Sequence, residues 1–250
     1  DNAISTDSTL IIRATLDGGL GKRDGSIKSA KLKTENKFSF QYGKIEARIK
    51  LPRGKGLWPA FWMLGGNIRQ VSWPKCGEID IMENVNGESR IHGTAHWDEN
   101  RHASYGCHVD DVAIEDFHVY SLIWDQNFLR WQLDGVEYCA KDITSEELSE
   151  FHQNFYIILN LAIGGNWPGN PDTTTQFPAE MEVDYVRVYR LDGPKMGLYP
   201  SDIYYSMDIG GAASLLTKTM SITNMGTEIL ESAAVESDVN WIDLSWQDNS

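Results

Sequence analysis

The chain has 250 residues, with 36 Asp and Glu against 22 Lys and Arg for a net charge of −14. That balance argues against a grip on nucleic-acid phosphates or an anionic membrane face and leaves a neutral or cationic partner. Hydrophobic residues at 41% and charged residues at 23% describe an ordinary globule of one large domain, or one domain with a small extra; no apolar run approaches the roughly 18 residues of a membrane span.

Short β segments begin at residues 10–14. In residues 43–51 (GKIEARIKL), Ile45, Ala47, Ile49 and Leu51 alternate with Lys44, Glu46, Arg48 and Lys50, the period of two of a half-buried strand. Residues 56–65 (GLWPAFWMLG) carry Trp58 and Trp62 four apart in an apolar strand or loop, and Trp73 precedes the run C-G-E-I-D-I-M-E-N at 76–84. In that run Glu78 and Asp80 are two apart and share a face, whereas Glu83 at an offset of five faces away in a regular strand. One extra residue, a β-bulge near Ile81-Met82, would return Glu83 to the face of Glu78.

In residues 90–97, His92, Thr94 and His96 share one strand face. His92 and His96 read as cleft lining, as structural polar groups or as two metal ligands, although no third soft ligand stands at zinc-like spacing. A loop with Tyr105-Gly106 follows, then strands at 118–124 and 129–133, with Trp124 and Trp131 as core and Asp134-Gly135 as a tight hairpin turn. Residues 142–154 are the one expected helix, capped by Thr144 or Ser145. A strand at 155–163 leads into Gly164-Gly165-Asn166-Trp167-Pro168-Gly169, where a large ring on a glycine-rich loop suits stacking on a sugar. After a last strand at 181–189, residues 192–202 hold two Pro and two Gly and read as a linker, and 203–250 as a separate β-rich extension. The pattern predicts an all-β sandwich of antiparallel sheets. Cys76, Cys107 and Cys139 allow one bridge with a spare thiol. Asp1 is not a natural start, so a secreted protein that has lost its leader is the expectation.

Three readings fit the carboxylate run taken by itself: an exposed acidic strand edge, a hard-cation site of Glu78, Asp80 and Glu83, and glycoside hydrolysis. Because the acids alternate with Ile79, Ile81 and Met82, one face is buried. Like charges gathered there are costly as structure but useful where a carboxylic acid must keep its proton near neutral pH. Hydrolysis needs two carboxylates, and one strand holds them close enough for a retaining mechanism.

E-I-D-I-M-E at 78–83, with Y-G-K-I-E-A-R-I-K-L-P at 42–52, G-L-W-P-A-F-W-M-L-G at 56–65, H-G-T-A-H-W at 92–97, L-N-L-A-I-G-G-N-W-P-G at 159–169 and V-D-Y-V-R-V-Y at 183–189, resembles glycoside hydrolase family 16 over about residues 1–191. Within that family the likeness is to the laminarinases, bacterial endo-β-1,3-glucanases. The resemblance implies a concanavalin A-like β-jelly roll of two curved antiparallel sheets with sugar lying in the concave cleft. It implies Glu78 as nucleophile, Glu83 as acid/base and Asp80 as the assistant between them. Met82 in the bulge matches laminarinases and is lacking in lichenases. Trp58 and Trp62 read as core or cleft residues, as does Trp73; the resemblance brings an aromatic of the Trp58–Trp62 segment to the cleft, sets His96 near the acid/base and Asn160 and Gln176 on or near the cleft-facing sheet, and turns Arg101 or His102 towards the aglycone.

No cofactor is implied for the chemistry, but a structural calcium on the convex face, held in part by Asp184, is. The family's opening W-x-D-E-F-like strand and the Gly-rich glycone segment after it have no counterpart ahead of Asn2-Ala3-Ile4. Residues 208–244 resemble the first strands of an immunoglobulin-like accessory module, while Trp246-Gln247-Asp248 echoes the absent opening strand, as a permuted chain would. The expected function is cleavage of internal β-1,3 bonds in laminarin-type glucans by a secreted monomer. The rivals are action on mixed-linkage β-glucan or a marine galactan, and glucan binding without catalysis.

Overall fold

Alternating segments recur along the chain with almost no helix between them. The computed structural model describes residues 2–18, 26–191, 196–199 and 221–224. The strands are β1 (Ala3–Ser5), β2 (Leu10–Asp17), β3 (Ser26–Lys28), β4 (Lys31–Lys33), β5 (Gly43–Lys50), β6 (Leu57–Gly65), β7 (Glu78–Glu83) and β8 (Arg90–Asp98). They continue as β9 (His102–Asp110), β10 (His118–Trp124), β11 (Phe128–Leu133), β12 (Val136–Asp142), β13 (Phe155–Ile163) and β14 (Ala179–Tyr189). An eight-stranded antiparallel sheet runs β1-β2-β14-β5-β10-β11-β12, with β3 also on β2, and a six-stranded one runs β4-β13-β6-β7-β8-β9. The two curved sheets form a β-jelly-roll sandwich.

The inner faces follow the period of two. Ile45, Ala47 and Ile49 of β5, with Leu122, Trp124, Leu129 and Trp131, meet Phe61, Met63, Ile79 and Ile91 from the other sheet in one buried cluster. Full burial of such side chains stabilises by about 1.5–3 kcal/mol each. Trp124 and Trp131 lie in this core as expected, and each indole N–H is satisfied, Trp124 by the carbonyl of Phe151 at 3.0 Å and Trp131 by that of Asp80 at 2.8 Å. Cys107 of β9 and Cys139 of β12 form a disulfide that ties an edge of one sheet to an edge of the other, and Cys76 is the spare, buried thiol.

Asp134 and Gly135 have φ of 49° and 81°, the left-handed pair that a two-residue hairpin turn requires. Three expectations need correction. The helix of residues 142–154 shrinks to a 3₁₀ segment, Glu146–Phe151, capped by Ser145, because Leu148 leaves helical geometry and Asp142 caps Thr144 instead of joining a helix. Tyr105-Gly106 is no loop but part of β9, paired with Ala95 and Thr94, so the β8–β9 turn is only residues 99–101. A single helical turn, α1 (Ile68–Val71), appears where none was expected.

By its contacts the chain divides into Asp1–Arg190 and Leu191–Ser250. In the second unit β15 (Met196–Tyr199) pairs antiparallel with β16 (Ser221–Asn224), so part of the expected linker is a strand. The immunoglobulin-like and permutation readings rest mainly on residues outside those described. No helix among the described residues is long and apolar enough to cross a membrane.

Candidate active site

The outward face of the six-stranded sheet repeats the same period with different chemistry. On β6 the odd positions enter the core, which turns Trp58, Ala60 and Trp62 outward. On β7 Glu78 and Asp80 face out. Opposite β8, Asp80 pairs with Thr94 and Glu83 with His92, so Ile81 and Met82 together face Gly93 alone. Opposite β6, Asp80 pairs with Trp62 and Met82 with Phe61, which leaves Ile81 as the extra residue. This is the bulge that the offset of five demanded, and it returns Glu83 to the face of Glu78 and Asp80. The three carboxylates, Trp58, Trp62 and Asn160 line one cavity of about 540 Å³.

The aromatic groups act here as hydrogen-bond donors as much as surfaces. Trp58 Nε1 donates to Glu83 Oε1 at 2.8 Å, and Trp62 Nε1 donates to Asn160 Oδ1 at 2.7 Å. Trp73 stands close enough to Glu78 to favour its charged form and packs beside His102, ring centroids 4.6 Å apart. His96 Nε2 stands 3.1 Å from Asp80 Oδ2, and its Nδ1 lies 2.8 Å from His102 Nε2.

Electrostatics follow from packing three like charges where protein atoms bury them. Burial pushes Glu78 up to about 8, the charges of Asp80 and Glu83 add to this, and His96 and Trp73 oppose it. Asp80 is raised well above the usual carboxylate range by burial and then by Glu83. Burial also raises Glu83, against the hydrogen bond from Trp58 and the nearby His96. Protons in such a cluster belong to the set, so roles follow from position and not from one site's value. What the arrangement offers is a pair of carboxyl groups, a third carboxylate between them, and aromatic surface on either side.

The remaining expected residues divide. Trp167 is 47% exposed, yet it does not stand unsupported: its ring packs edge-on against Trp58 at 5.5 Å and His92 at 5.0 Å. Arg101 is exposed in the β8–β9 turn, next to His102 at the Glu78 end. Gln176 lies on an exposed loop, not on the sheet, and does not line the cavity, because the chain has left β13 and reaches β14 only at Ala179. Glu78, Asp80 and His96 are the group of potential ligand atoms gathered within 4.8 Å of one another among the described residues. Asp184 belongs to no such group; it is the bulged residue of β14, and its Oδ2 takes Arg48 Nη1 at 2.8 Å. Calcium there would need further oxygens beside this one carboxylate, and no cluster of His, Cys, Asp or Glu side chains among the described residues supplies them.

Sequence reasoning missed Lys31, whose ammonium lies 4.4 Å from the Trp62 ring centre and which lines the same cavity. Its i, i+2 spacing with Lys33 reads as an ordinary solvated strand face, and only the fold sets it beside Trp62.

The sequence model of Glycosyl hydrolases family 16 matches residues 3–187. The chain is 42% identical to the clotting factor G alpha subunit of Tachypleus tridentatus over 168 residues, 65% of this chain and 25% of that protein. It is 33% identical to glucan endo-1,3-beta-glucosidase A1 of Niallia circulans over 211 residues, 76% of this chain and 31% of that one. The chain thus spans about a third or less of the length of these curated relatives. Among solved structures, the catalytic domain of an endo-1,3-beta-glucanase (laminarinase) from Thermotoga petrophila RKU-1 superposes with a TM-score of 0.68 at 43% identity, covering 76% of this chain and 80% of that one.

Proposed function

The chain belongs to glycosyl hydrolases family 16, and on that premise we propose that it is a retaining endo-β-1,3-glucanase that cleaves internal bonds of laminarin-type glucans. The observation that carries the reading is the bulge at Ile81, which sets Glu78, Asp80 and Glu83 on one face of one cavity. Glu78 attacks the anomeric carbon while Glu83 gives its proton to the departing glycosidic oxygen. Glu83 Oε1 accepts the Trp58 N–H, which leaves Oε2 to carry that proton. In the second step Glu83 takes a proton from water, and the water opens the glycosyl ester on Glu78. Asp80, between the two and 3.1 Å from His96, balances charge as Glu78 loses and regains it. Trp58, Trp62 and Trp167 supply flat apolar faces for pyranose rings. Names of the relatives, a laminarinase and a glucan endo-1,3-beta-glucosidase among them, support β-1,3-glucan as substrate.

Product analysis over laminarin, mixed-linkage β-glucan, agarose and carrageenan tests the substrate, with laminarin oligosaccharides expected as the main products. Glu78→Gln and Glu83→Gln should each lower turnover by at least about a hundredfold while the protein stays folded. Turnover like the wild type in either variant overturns the assignment. Proton NMR of the first products should show the β-anomer; an initial α-anomer rules out the two-step route.

A further inference from the structure

The catalytic bulge has a neighbour that belongs to the opposite sheet. Where the register of β7 breaks, the carbonyl of Asp80 accepts the indole N–H of Trp131 at 2.8 Å, and Trp131 is a fully buried residue of β11. The indole reaches across the sandwich because the residue facing the bulge is Gly93. A Cβ there would stand 2.5 Å from Trp131 Cδ1 and 2.6 Å from the Tyr138 hydroxyl. Tyr138 is itself the extra residue of a second bulge, since Trp131 pairs with Cys139 and Gln132 with Glu137.

These contacts close a ring. Gly93 pairs with Cys107 on β9, Trp131 pairs with Cys139 on β12, and Cys107 and Cys139 are joined by the disulfide. From Asp80 the path runs through the bulge to Gly93, across to Cys107, through the sulfur bridge to Cys139, back to Trp131 and by its N–H to Asp80 again. Two of the links, the disulfide and the Trp131 hydrogen bond, tie the six-stranded sheet to the eight-stranded one beside the carboxylates. A shift of the bulge by one residue would send a side chain to the other face.

We propose that Trp131 and the Cys107–Cys139 disulfide are positioning groups for catalysis: together they pin the bulge at Ile81 and so hold Glu83 on the face of Glu78 and Asp80. Neither touches substrate. The clamp acts through the carbonyl of Asp80 and the strand pairing of Gly93, so it governs the geometry of the chemical step and not the surface that binds sugar. The proposal rests on the reading of Glu78 and Glu83 as the catalytic pair.

The test is a double-mutant cycle on the full chain, assayed well below the melting temperature of every variant. Trp131→Phe keeps most of the ring but removes the N–H; Cys107→Ser with Cys139→Ser opens the other half of the ring. Each should lower kcat roughly tenfold, since misplacement of a reacting group by about 1 Å can cost a hundredfold. KM should stay within about threefold. The pH profile of kcat/KM should shift, because the distance of Glu83 from Asp80 and Trp58 sets its proton affinity. Combining the changes should cost less than the product of the separate losses, as coupled groups do.

A merely structural role would lower the melting temperature and leave kcat and the pH profile of the folded variants as in the wild type; that result overturns the proposal, and so do strictly multiplicative losses. If Trp131→Phe does not fold, wild-type protein reduced with dithiothreitol and then reoxidised gives the answer through reversible loss of kcat, and unchanged kcat on reduction overturns the proposal. Glu83→Gln, run alongside, separates the two ideas. An inactive Glu83→Gln beside an unimpaired Trp131→Phe rejects only the clamp, and an active Glu83→Gln rejects the catalytic reading.

Discussion

Glu46 and Glu83 are exposed to almost the same small extent, 7% and 8%, on the outward faces of opposite sheets, and their protons are held in opposite ways. For Glu46 on β5 burial works to raise the affinity, but Lys44 at 2.8 Å, the Tyr189 hydroxyl at 3.1 Å and Arg187 at 3.9 Å outweigh it, and its pKa falls below the usual value. Glu83 lies deeper among protein atoms, with Asp80 and Glu78 for neighbours and one indole N–H in support, and its pKa rises. The convex face sets charges beside partners, as in Arg13–Glu180, Arg48–Asp184 and Lys50–Glu182. The cleft face gathers like charges and leaves them in conflict. Identical strand architecture therefore serves stability on one side and stores an unfavourable charge arrangement for chemistry on the other.

The largest effect that can break this comparison is on stability against pH. Glu78 is raised to about 8 from an ordinary 4.5, so the folded protein keeps this proton to higher pH than the unfolded chain does. Its contribution is full below 4.5 and declines as pH rises through 8. Glu78→Gln removes that decline, and the variant should melt above the wild type at pH 8, by roughly 5 °C for a gain of about 2 kcal/mol, with the difference vanishing towards pH 4.5. Glu46→Gln should do the reverse: its contribution is present above its ordinary pKa, so the variant should melt below the wild type at neutral pH and approach it in acid. Melting curves between pH 4 and pH 8 decide; shifts of the same sign in both variants would end the contrast between the faces.

How much of this was legible in the residues depends on what each feature needs. Alternation at 43–51 fixes which side chains of β5 face the core, because a period of two is local. The odd offset of Glu83 likewise foretold the bulge, since three acids on one strand can share a face only if one residue is surplus. The resemblance does not reach to strand ends: Gln176 falls on the loop before β14, and Tyr105-Gly106 lies inside β9. Gly106 faces Thr94 across the β8–β9 pairing, where an added Cβ would lie 2.8 Å from the carbonyl oxygen of Gly93. Trp131 looked like core and is core, but its hydrogen bond to the bulge joins residues 51 apart on different sheets, and no local pattern contains it.

An aromatic on each face offers a sharper and smaller test. Trp167 on the cleft side and Tyr189 on the convex side are 47% and 42% exposed. Tyr189 has its work within the protein, donating to Glu46 and lying 6.0 Å from Lys44. Trp167 packs against Trp58 and His92 and leaves a ring face exposed. Covering that face with a pyranose is worth about 1–2 kcal/mol at roughly 25 cal/mol per Å². Trp167→Ala should thus raise KM on laminarin oligosaccharides about five- to thirtyfold with kcat within a few-fold. Tyr189→Ala should leave both unchanged. A melting drop of many degrees in Trp167→Ala with KM unmoved would make the loop tryptophan a packing residue.

The smallest effect belongs to the convex ion pairs taken singly. Arg48 and Asp184 meet at 2.8 Å, but their side chains are 39% and 36% exposed, so water screens the attraction and folding must fix two side chains to gain it. Arg48 also lies 4.4 Å from the Phe117 ring centre, a contact that survives loss of the carboxylate. Asp184→Asn should therefore cost no more than about 0.5 kcal/mol, roughly 1–2 °C in the melting temperature, and that loss should fade in about 1 M salt, where the screening length is near 3 Å. Arg48→Ala should cost more, because the stacking on Phe117 goes with the charge. If Asp184→Asn instead lowers the melting temperature by many degrees and salt does not restore it, the convex carboxylates are as strongly committed as those of the cleft, and the division of labour between the two faces fails at its weakest pair.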